Sequence, residues 1–491
     1  MQKRFPSLSI VLFILFQGSS LDLYAQVETQ YLAIEFNKVL CGFTEINTSE
    51  SVIDNQETTI LNQRAYINFS ALGQDITQHQ LFTYHIDPIS GNFRYHSSST
   101  EQGESKSGVE YQVTGDSIKE TYLQSGEWKS DPAIQLPPDV ILPNTQFFSY
   151  LVADFADGDL KSRTYEIFDV RSGQIAQITY DLVGKEILNL ADVDYQSLVF
   201  DHEHPATGGT IRMWVDQETG VRLQQTYPNH LFIYLTDAGV TDRLQKANMD
   251  DVWIYKTNKN IPDFHNISYM KVKATLSPLP PISSIDELNV PGQTFTGTVT
   301  NNKVEGIFEM EYPRYRGENA PDYPVDIDPE SDIQQYLAST FYIESDDPVL
   351  KNKAEEITSN SKHAWEAATK LGLWIGQNIK GGFDGGSARE TYDRREGVCG
   401  NQAMLLVAFS RSLGIPARVV WGAAYVPEAG GSFGHHAWVE VYMGKDGWIP
   451  VDATIDEPSW VNSGHIRIGA LSSTVQTVIN FQEMEILEFK N

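Results

Sequence analysis

Short runs in which apolar and polar residues alternate, separated by turn residues, fill the chain from 27 to 255. The runs 210–215 and 231–235 alternate in this way, and residues 217–220 between them have the composition of a hairpin turn. Residues 166–180 contain a second strand, turn and strand. Long helical periodicity is nearly absent from this region. Because successive side chains of a β-strand point to opposite faces, the pattern predicts an antiparallel β domain, either a curved sheet or a sandwich.

The first residues of the chain have the composition of a secretory signal. A basic start at 1–4 precedes an apolar run at 10–16, and small and polar residues then lead to Ala25. We predict cleavage of the segment 1–25 and an extracytoplasmic location, periplasmic or secreted. An N-terminal membrane anchor is the alternative, and the short apolar run disfavours it because a helix needs about 20 apolar residues to cross a bilayer.

The acidic composition restricts the class of partner. With 36 Lys and Arg residues against 65 Asp and Glu residues, the formal net charge is -29. Nucleic acids and anionic membrane surfaces attract basic proteins, so we exclude both as partners. No run after Ala25 reaches the length of about 18 apolar residues that is typical of a spanning helix, so we predict no membrane span after signal cleavage.

Changes in composition along the chain predict its domain boundaries. The proline-rich stretch 277–281 is typical of a stiff linker, and the runs 293–300 and 304–312 predict a further hairpin. From residue 346 onward the apolar spacing becomes helical. We therefore predict an α+β protein with an antiparallel β-rich domain at 26–264, a small β module or linker at 265–329, and a domain of helices followed by strands at 330–491.

The helices of this last domain have clear start and stop signals. The acidic pair and proline at 346–348 are typical of a helix start, and the apolar spacing predicts two helices broken near 359–361. Ser387 can cap a short helix, and a longer helix is predicted from Gly400 to Leu413. Strands are then predicted at 417–423, 437–443 and 448–452.

The chain has only two cysteines, and Cys399 lies where nucleophilic chemistry is favoured. At the amino end of a helix, unpaired N–H groups and the helix dipole favour thiolate over thiol. The same N–H groups can bind the oxyanion that forms when an acyl carbonyl is attacked. A cysteine that only packs the helix start is the alternative. A disulfide would block Cys399, so we predict that both thiols are free and that Cys41 is a small buried residue.

A histidine and a carboxylate complete the set of groups that such a thiol needs. His436 can accept the thiol proton and return it to a leaving amine, whereas His435 points to the opposite face of the strand. Asp452 can orient the imidazole and stabilise its cation. This requires a three-residue loop at 444–446, which places Asp452 opposite Trp438 and on the face of His436; a two-residue loop would place it on the wrong face. We predict the three-residue loop.

Four stretches of this region resemble the core of the transglutaminase-like superfamily. They are Gly397-Val398-Cys399-Gly400, Leu413-Gly414-Ile415-Pro416-Ala417-Arg418, His436-Ala437-Trp438-Val439-Glu440-Val441 and Gly447-Trp448-Ile449-Pro450-Val451-Asp452. The resemblance covers about residues 340–460 and implies a papain-like fold. It also implies that 330–491 is a catalytic domain in which Cys399 is the nucleophile, His436 the base and Asp452 the orienting acid. Relatives often add an upstream oxyanion donor, for which Trp374 and Gln377 are candidates.

The resemblance implies a cysteine enzyme that attacks peptide or glutamine amides and forms a thioester. Water or an amine can resolve a thioester, so hydrolysis by an amidase or peptidase and acyl transfer both stay open. The expected partner is a peptide, a protein or a cell-wall amide, with no cofactor and no metal, and the oligomeric state is not predicted. The alternative is a non-catalytic scaffold or binding module that keeps the fold, with the β region binding an apolar ligand or a cell-surface polymer.

Two polar stretches elsewhere resemble ion sites only superficially. Residues 201–204 contain two histidines, but the proline and glycines that follow predict a solvated loop rather than a metal site. The acidic stretch 326–332 lacks the glycine and the spacing of a calcium loop, so we predict a charged linker.

Overall fold

The computed structural model describes residues 29–491 except 72–73, 104, 125, 171–172, 204–209, 228–229, 251–253, 301–302, 383–385, 428–429, 456 and 472–476. The chain forms two compact units that divide between Met249 and Asp250. The predicted signal peptide lies outside the described residues. Among the helices that are described, none has both the length and the apolar composition needed to cross a membrane.

The first unit is built on one sheet whose strands pair edge to edge. Its strands are β1 (Thr29–Phe36), β2 (Val39–Ile53), β3 (Gln56–Ala71), β4 (Gln74–Ile86), β5 (Phe93–Gln102), β6 (Ser105–Thr114), β7 (Ser117–Gln124), β8 (Glu127–Ser130), β9 (Ile134–Gln135), β10 (Ser162–Asp169), β11 (Gln174–Leu190), β12 (Val193–Glu203), β13 (Thr210–Asp216), β14 (Arg222–Thr226), β15 (Leu231–Thr236) and β16 (Ala247–Asn248). Successive strands pair from β1 to β8 and from β10 to β15, and an antiparallel pairing of β1 with β15 joins the two series. The predicted antiparallel β region is confirmed.

The hairpins expected from local alternation are present in this sheet. β10 and β11 pair antiparallel up to the contact of Asp169 with Gln174, on either side of the predicted turn. The predicted turn at 217–220 is closed by Asp216, whose carbonyl oxygen accepts from Gly220 N–H at 3.0 Å. The chain then forms β14, which pairs with both β13 and β15 and which we did not predict.

A helix in the first unit was also missing from the sequence analysis. α1 (Phe147–Phe155) places five apolar side chains, Phe147, Phe148, Leu151, Val152 and Phe155, in a buried cluster. The ring of Phe155 lies 5.1 Å from that of Phe200 on the sheet. This spacing is helical, but the segment is short and is surrounded by strand patterns.

The interpretation of 201–203 as part of a solvated loop was wrong. These residues are the end of β12, where Asp201 pairs with Arg212 and binds its guanidinium at 2.8 Å. His202 is buried, and its ring lies 4.9 Å from that of Tyr180. Pairing with two neighbouring strands therefore outweighs the polarity of the local sequence. His204 lies outside the described residues.

The second unit contains two antiparallel sheets and four α-helices among its described residues. The first sheet has the strands β18 (Tyr269–Leu279), β19 (Gln293–Thr300), β20 (Lys303–Met310) and β25 (Val478–Lys490), in the order β19-β20-β18-β25. The second sheet has β17 (Ile254–Lys256), β21 (Ala417–Val426), β22 (Ser432–Tyr442), β23 (Trp448–Val451) and β24 (His465–Leu471), in the order β17-β22-β21-β24 with β23 beside β22. The helices are α2 (Pro348–Thr358), α3 (Ala364–Asn378), α4 (Ala388–Arg394) and α5 (Cys399–Ser412).

Strands from different predicted domains share these sheets. β17 comes from the predicted range 26–264 and pairs with β22, while β18 to β20 come from 265–329 and share a sheet with β25. Trp421 and Phe433 of one sheet and Val272 and Phe308 of the other lie in a common buried cluster. The predicted limits at 264 and 329 stay predictions, and the compact unit that contains the helices begins at Asp250.

The helices begin and end where the sequence predicted. Asp347 caps α2 by accepting from Val349 N–H at 2.8 Å. The helical conformation is interrupted near residue 360, between the end of α2 and the start of α3. Ser387 and Glu390 form a reciprocal capping box at the start of α4. α5 is buried from Gly400 to Arg411, so it forms the centre of the helical side of the core.

We expect α3 to stabilise the second unit mainly through the side chains on its buried face. Leu371 is 0% exposed in the core, whereas Leu373, two residues along the same helix, is 43% exposed. Leu371→Ala should lower the free energy of unfolding by about 2–5 kcal/mol because it leaves a cavity. Leu373→Ala, the matched control, should change it by less than about 1 kcal/mol. Urea unfolding followed by tryptophan fluorescence measures both, and equal effects of the two variants would contradict the assigned helix face.

Candidate active site

Cys399 occupies the first turn of α5, and two side chains of that helix hold the segment before it. Asn401 Oδ1 accepts from Val398 N–H at 3.1 Å, and Gln402 Nε2 donates to Gly397 O at 3.0 Å. Val398 precedes the helix and has an apolar side chain that cannot cap the first N–H groups. Cys399 therefore lies at the start of a helix, where the backbone N–H groups of the first turn have no partner within the helix, as the sequence predicted.

His436 and Asp452 are joined by a short hydrogen bond. Asp452 Oδ2 lies 2.7 Å from His436 Nε2. The other carboxylate oxygen accepts from Thr454 twice, from its N–H at 2.8 Å and its Oγ1 at 2.7 Å. Asp452 is 0% exposed, so its charge depends on contacts with protein groups rather than on water. Thr454 was not singled out from the sequence, although it follows the aspartate by two residues.

The register that brings this pair together is the predicted one. Val439 pairs with Val451, which places Asp452 opposite Trp438 and on the face of His436. Met443 N–H donates to Gly447 O at 2.7 Å and closes the loop at 444–446. Gly447 has a positive φ of 74°, a conformation that glycine adopts without steric cost. The predicted three-residue loop is confirmed.

A gap along one edge of β22 gives the thiol access to the histidine strand. On that edge β17 pairs with residues 432–434, and β23 pairs with residues 439–442. Residues 435–438 lie between these two partners. The side chain of His436 and the backbone N–H of Ala437, which lies in this gap, both lower the pKa of the Cys399 thiol, so both groups lie near Sγ. The sequence could not predict this gap, because it depends on where two distant strands end.

The two neighbouring histidines lie in different environments. His435 points to the other face of β22, where Nε2 lies 3.1 Å from Thr477 Oγ1. Burial lowers the pKa of His435 to about 4, so it is neutral near neutral pH. His436 is the residue that meets both Cys399 and Asp452, as predicted.

The three groups shift one another's pKa in the sense expected of an ion pair. Burial favours neutral His436, but the Asp452 carboxylate and then Cys399 outweigh it and raise the pKa of the imidazole to about 10. Burial also opposes ionisation of Cys399, yet the hydrogen bond and charge of His436 lower the pKa of the thiol below its usual value. His436 likewise holds the pKa of the buried Asp452 carboxyl well below its usual range. These shifts favour the thiolate and imidazolium pair.

The two candidates for an upstream oxyanion donor lie in different surroundings. The ring of Trp374 stacks on Tyr392 at 6.0 Å and meets Phe409 at 5.8 Å, in the helical core. Gln377 is exposed near the end of α3. The role of an upstream oxyanion donor stays a prediction for both residues, and the unpaired backbone N–H groups of the first turn of α5 lie at Cys399.

A second histidine near the carboxylate was missed from the sequence. His465 is buried at the start of β24, and its Nε2 lies 3.5 Å from Asp452 Oδ2. The ligand atoms of His436, Asp452 and His465 lie within 4.8 Å of one another, a spacing that would suit a metal ion. His436 Nε2 and Asp452 Oδ2 lie 2.7 Å apart and share a hydrogen bond, while His465 Nδ1 lies 3.0 Å from Asn462 O.

The structure places a thiol at a helix start, a histidine on β22 and an aspartate directly after β23, and these are the three groups that the sequence resemblance implied. The family model of the transglutaminase-like superfamily matches residues 351–453. Residues 351–453 belong to the transglutaminase-like superfamily. All three predicted site residues, Cys399, His436 and Asp452, fall inside the matched segment.

Known relatives are similar to parts of this chain. A Haemophilus influenzae protein of uncharacterised function is 28% identical over 156 residues, which cover 26% of this chain and 42% of the relative. The chain thus spans less than half of the length of that curated relative. Among solved structures, a proposed cysteine protease from Cytophaga hutchinsonii is 21% identical and covers 46% of this chain and 88% of its own, with a TM-score of 0.32. A beta-barrel-like protein from Brucella abortus, which belongs to a domain family of unknown function, is 12% identical. The match covers 43% of this chain and 94% of that protein, with a TM-score of 0.32.

We expect the two cysteines to differ sharply in reactivity. Burial raises the pKa of Cys41 to about 12, whereas that of Cys399 lies below its usual value. Because the thiolate is the reactive form, iodoacetamide should alkylate Cys399 well below the pH at which free thiols react, and should leave Cys41 unmodified in the folded protein. Peptide mass spectrometry after a timed reaction measures both. Cys41→Ala should leave the rate at Cys399 unchanged, and an ordinary thiol pH profile at Cys399 would contradict the ion pair.

Proposed function

We propose that this protein is a secreted or periplasmic cysteine enzyme that cleaves peptide or glutamine amides through a thioester on Cys399. The observation that carries the proposal is that His436 lies beside both other groups. Its Nε2 lies 2.7 Å from Oδ2 of the buried Asp452 carboxylate, and its side chain interacts with the thiol of Cys399. This order of groups is what nucleophilic catalysis by a thiol needs: a nucleophile, a base and an orienting acid. The substrate would be a peptide, a protein or a cell-wall amide.

The first half of the reaction forms the thioester. The Cys399 thiolate attacks the amide carbonyl carbon, a C–S bond forms, and the carbonyl electrons move to oxygen. Backbone N–H groups at the start of α5 stabilise this oxyanion. As the carbonyl re-forms, the C–N bond breaks and the leaving nitrogen takes the proton of the His436 imidazolium, so that an amine or ammonia departs.

The second half restores the enzyme. Neutral His436 takes a proton from water or from an amine, which attacks the thioester carbonyl and forms a new tetrahedral intermediate. Collapse of the intermediate breaks the C–S bond and releases a carboxylic acid or a new amide. The thiolate and imidazolium pair is then re-formed. Asp452 keeps Nε2 protonated and leaves the other ring nitrogen of His436 to exchange protons with sulfur and substrate.

Substitution of the three residues tests the assignment. With a mixture of synthetic glutamine-containing peptides as substrate, Cys399→Ala, His436→Ala and Asp452→Asn should each lower the turnover rate by about 10³-fold or more. His435→Ala and Cys41→Ala are the matched controls and should retain most of the activity. Turnover is followed by mass spectrometry of the peptides. Equal turnover by wild type and Cys399→Ala would end the enzymatic proposal and favour a scaffold or binding role.

The group that resolves the thioester can be identified by competition. An acid quench during turnover should trap the acyl group on the Cys399 peptide, where its mass identifies the substrate. Hydroxylamine added in increasing amounts should divert the acyl group from acid to hydroxamate. If the total rate of turnover is unchanged while the product is shared between acid and hydroxamate, thioester formation is the rate-limiting step. If the total rate rises with hydroxylamine concentration, attack on the thioester is the rate-limiting step.

A further inference from the structure

A second histidine faces the triad carboxylate, and we propose that His465 is a positioning residue that shares Asp452 with His436 and adds a positive charge to the working site. The inference rests on the proposed function and adds a residue to it. His465 Nε2 lies 3.5 Å from Asp452 Oδ2, the same oxygen that binds His436 Nε2 at 2.7 Å. One carboxylate oxygen thus lies between two imidazoles.

The backbone fixes which nitrogen of His465 carries a proton. Its Nδ1 lies 3.0 Å from Asn462 O, and a carbonyl oxygen can only accept, so Nδ1 must be the donor. The loop is held in turn, because Asn462 Oδ1 accepts from Gly464 N–H at 2.8 Å. Nε2 is then the nitrogen that faces the carboxylate. In neutral His465 its lone pair opposes a negatively charged oxygen, whereas in the cation an N–H points toward that oxygen.

The charges around His465 favour the cation in the thiolate form of the site. Thiolate, imidazolium and carboxylate carry a net negative charge in a buried space, and a second imidazolium would neutralise it. His436 is the like charge that opposes this, at a ring distance of 5.6 Å. The ring of Trp438 lies 5.3 Å from that of His465.

A further ion network on the same strands contains one carboxylate and two guanidinium groups, so its net charge of +1 also opposes a second imidazolium. Glu440 binds Arg467 at 2.9 Å through one oxygen and Arg418 at 2.8 Å through the other. Asp452 Oδ2 lies 3.5 Å from His465 Nε2, the His436 ring lies 5.6 Å from that of His465, and Cys399 interacts with His436 in turn. A cation at His465 lowers the pKa of both the thiol and the imidazolium. Its removal should raise both, so the whole pH profile should move upward.

The experiment combines a direct and a functional readout that need no substrate. The first is the ¹⁵N chemical shifts of the His465 ring in wild-type protein at about pH 6, assigned by comparison with the His465→Asn variant. The second is the pH profile of Cys399 alkylation by iodoacetamide. His465→Asn keeps a donor near the position of Nδ1 and removes Nε2 with its charge. His435→Asn makes the same exchange on the opposite face of β22 and is the matched control.

We expect both nitrogens of His465 to be protonated at about pH 6. In His465→Asn the acid limb of the alkylation profile should move up by about half to one pH unit, which lowers the rate at about pH 6 by roughly three- to tenfold and leaves the alkaline rate unchanged. His435→Asn should leave the profile in place. A single protonated nitrogen on His465, or coincident profiles of wild type and His465→Asn, would overturn the proposal.

The outcome also separates this inference from the proposed function. A wild-type profile without any low-pH reactivity would count against the catalytic thiol, whatever the charge of His465. Normal low-pH reactivity with a neutral His465 would count against the positioning role alone. If His465→Asn does not fold, the His465 ring shifts are assigned in the wild-type protein by through-bond correlation with the His465 backbone, and they decide the question alone.

Discussion

The buried carboxylate of Asp452 is the constraint on which the site depends. An ionised carboxylate with no exposure is costly unless each oxygen has partners, and here Thr454 binds one oxygen while His436 and His465 face the other. These partners come from β22, β24 and the segment after β23, so the charge is tolerated only when the strands have their native register. A shift of β23 by one residue would turn the carboxylate to the opposite face. Strand pairing and charge compensation therefore specify the same structure.

Much of this site is encoded in short segments and could be predicted. The helix start before Cys399, the alternation that separates His435 from His436, and the glycines at the ends of the 444–446 loop are all local features. Each depends on backbone geometry within a few residues. The predicted helices and the register of Asp452 follow from them.

The rest depends on contacts between distant segments. The Ala437 N–H is free to meet sulfur because β17 ends before it and β23 begins after it, and nothing near residue 437 in the sequence indicates either limit. His465 reaches Asp452 because β24 pairs with the far side of β21. It also lies beyond the segment 351–453 that matches the superfamily, so neither local pattern nor resemblance indicated it. The polar end of β12 was misinterpreted for the same reason, since its strand partners lie elsewhere in the chain.

The sheet formed by β18 and β25 has a consequence for how the second unit is made. The two strands pair along their length, although Tyr269 and its partner Lys490 are separated by most of the unit's sequence. A ribosome releases the chain in order, so β18 has no β25 to pair with until all four described helices of the unit and the thiol have been synthesised. Long-range pairing of this kind slows folding, because the intervening loop must close before the contact forms. Cys399 is therefore synthesised well before the unit that encloses it can be completed.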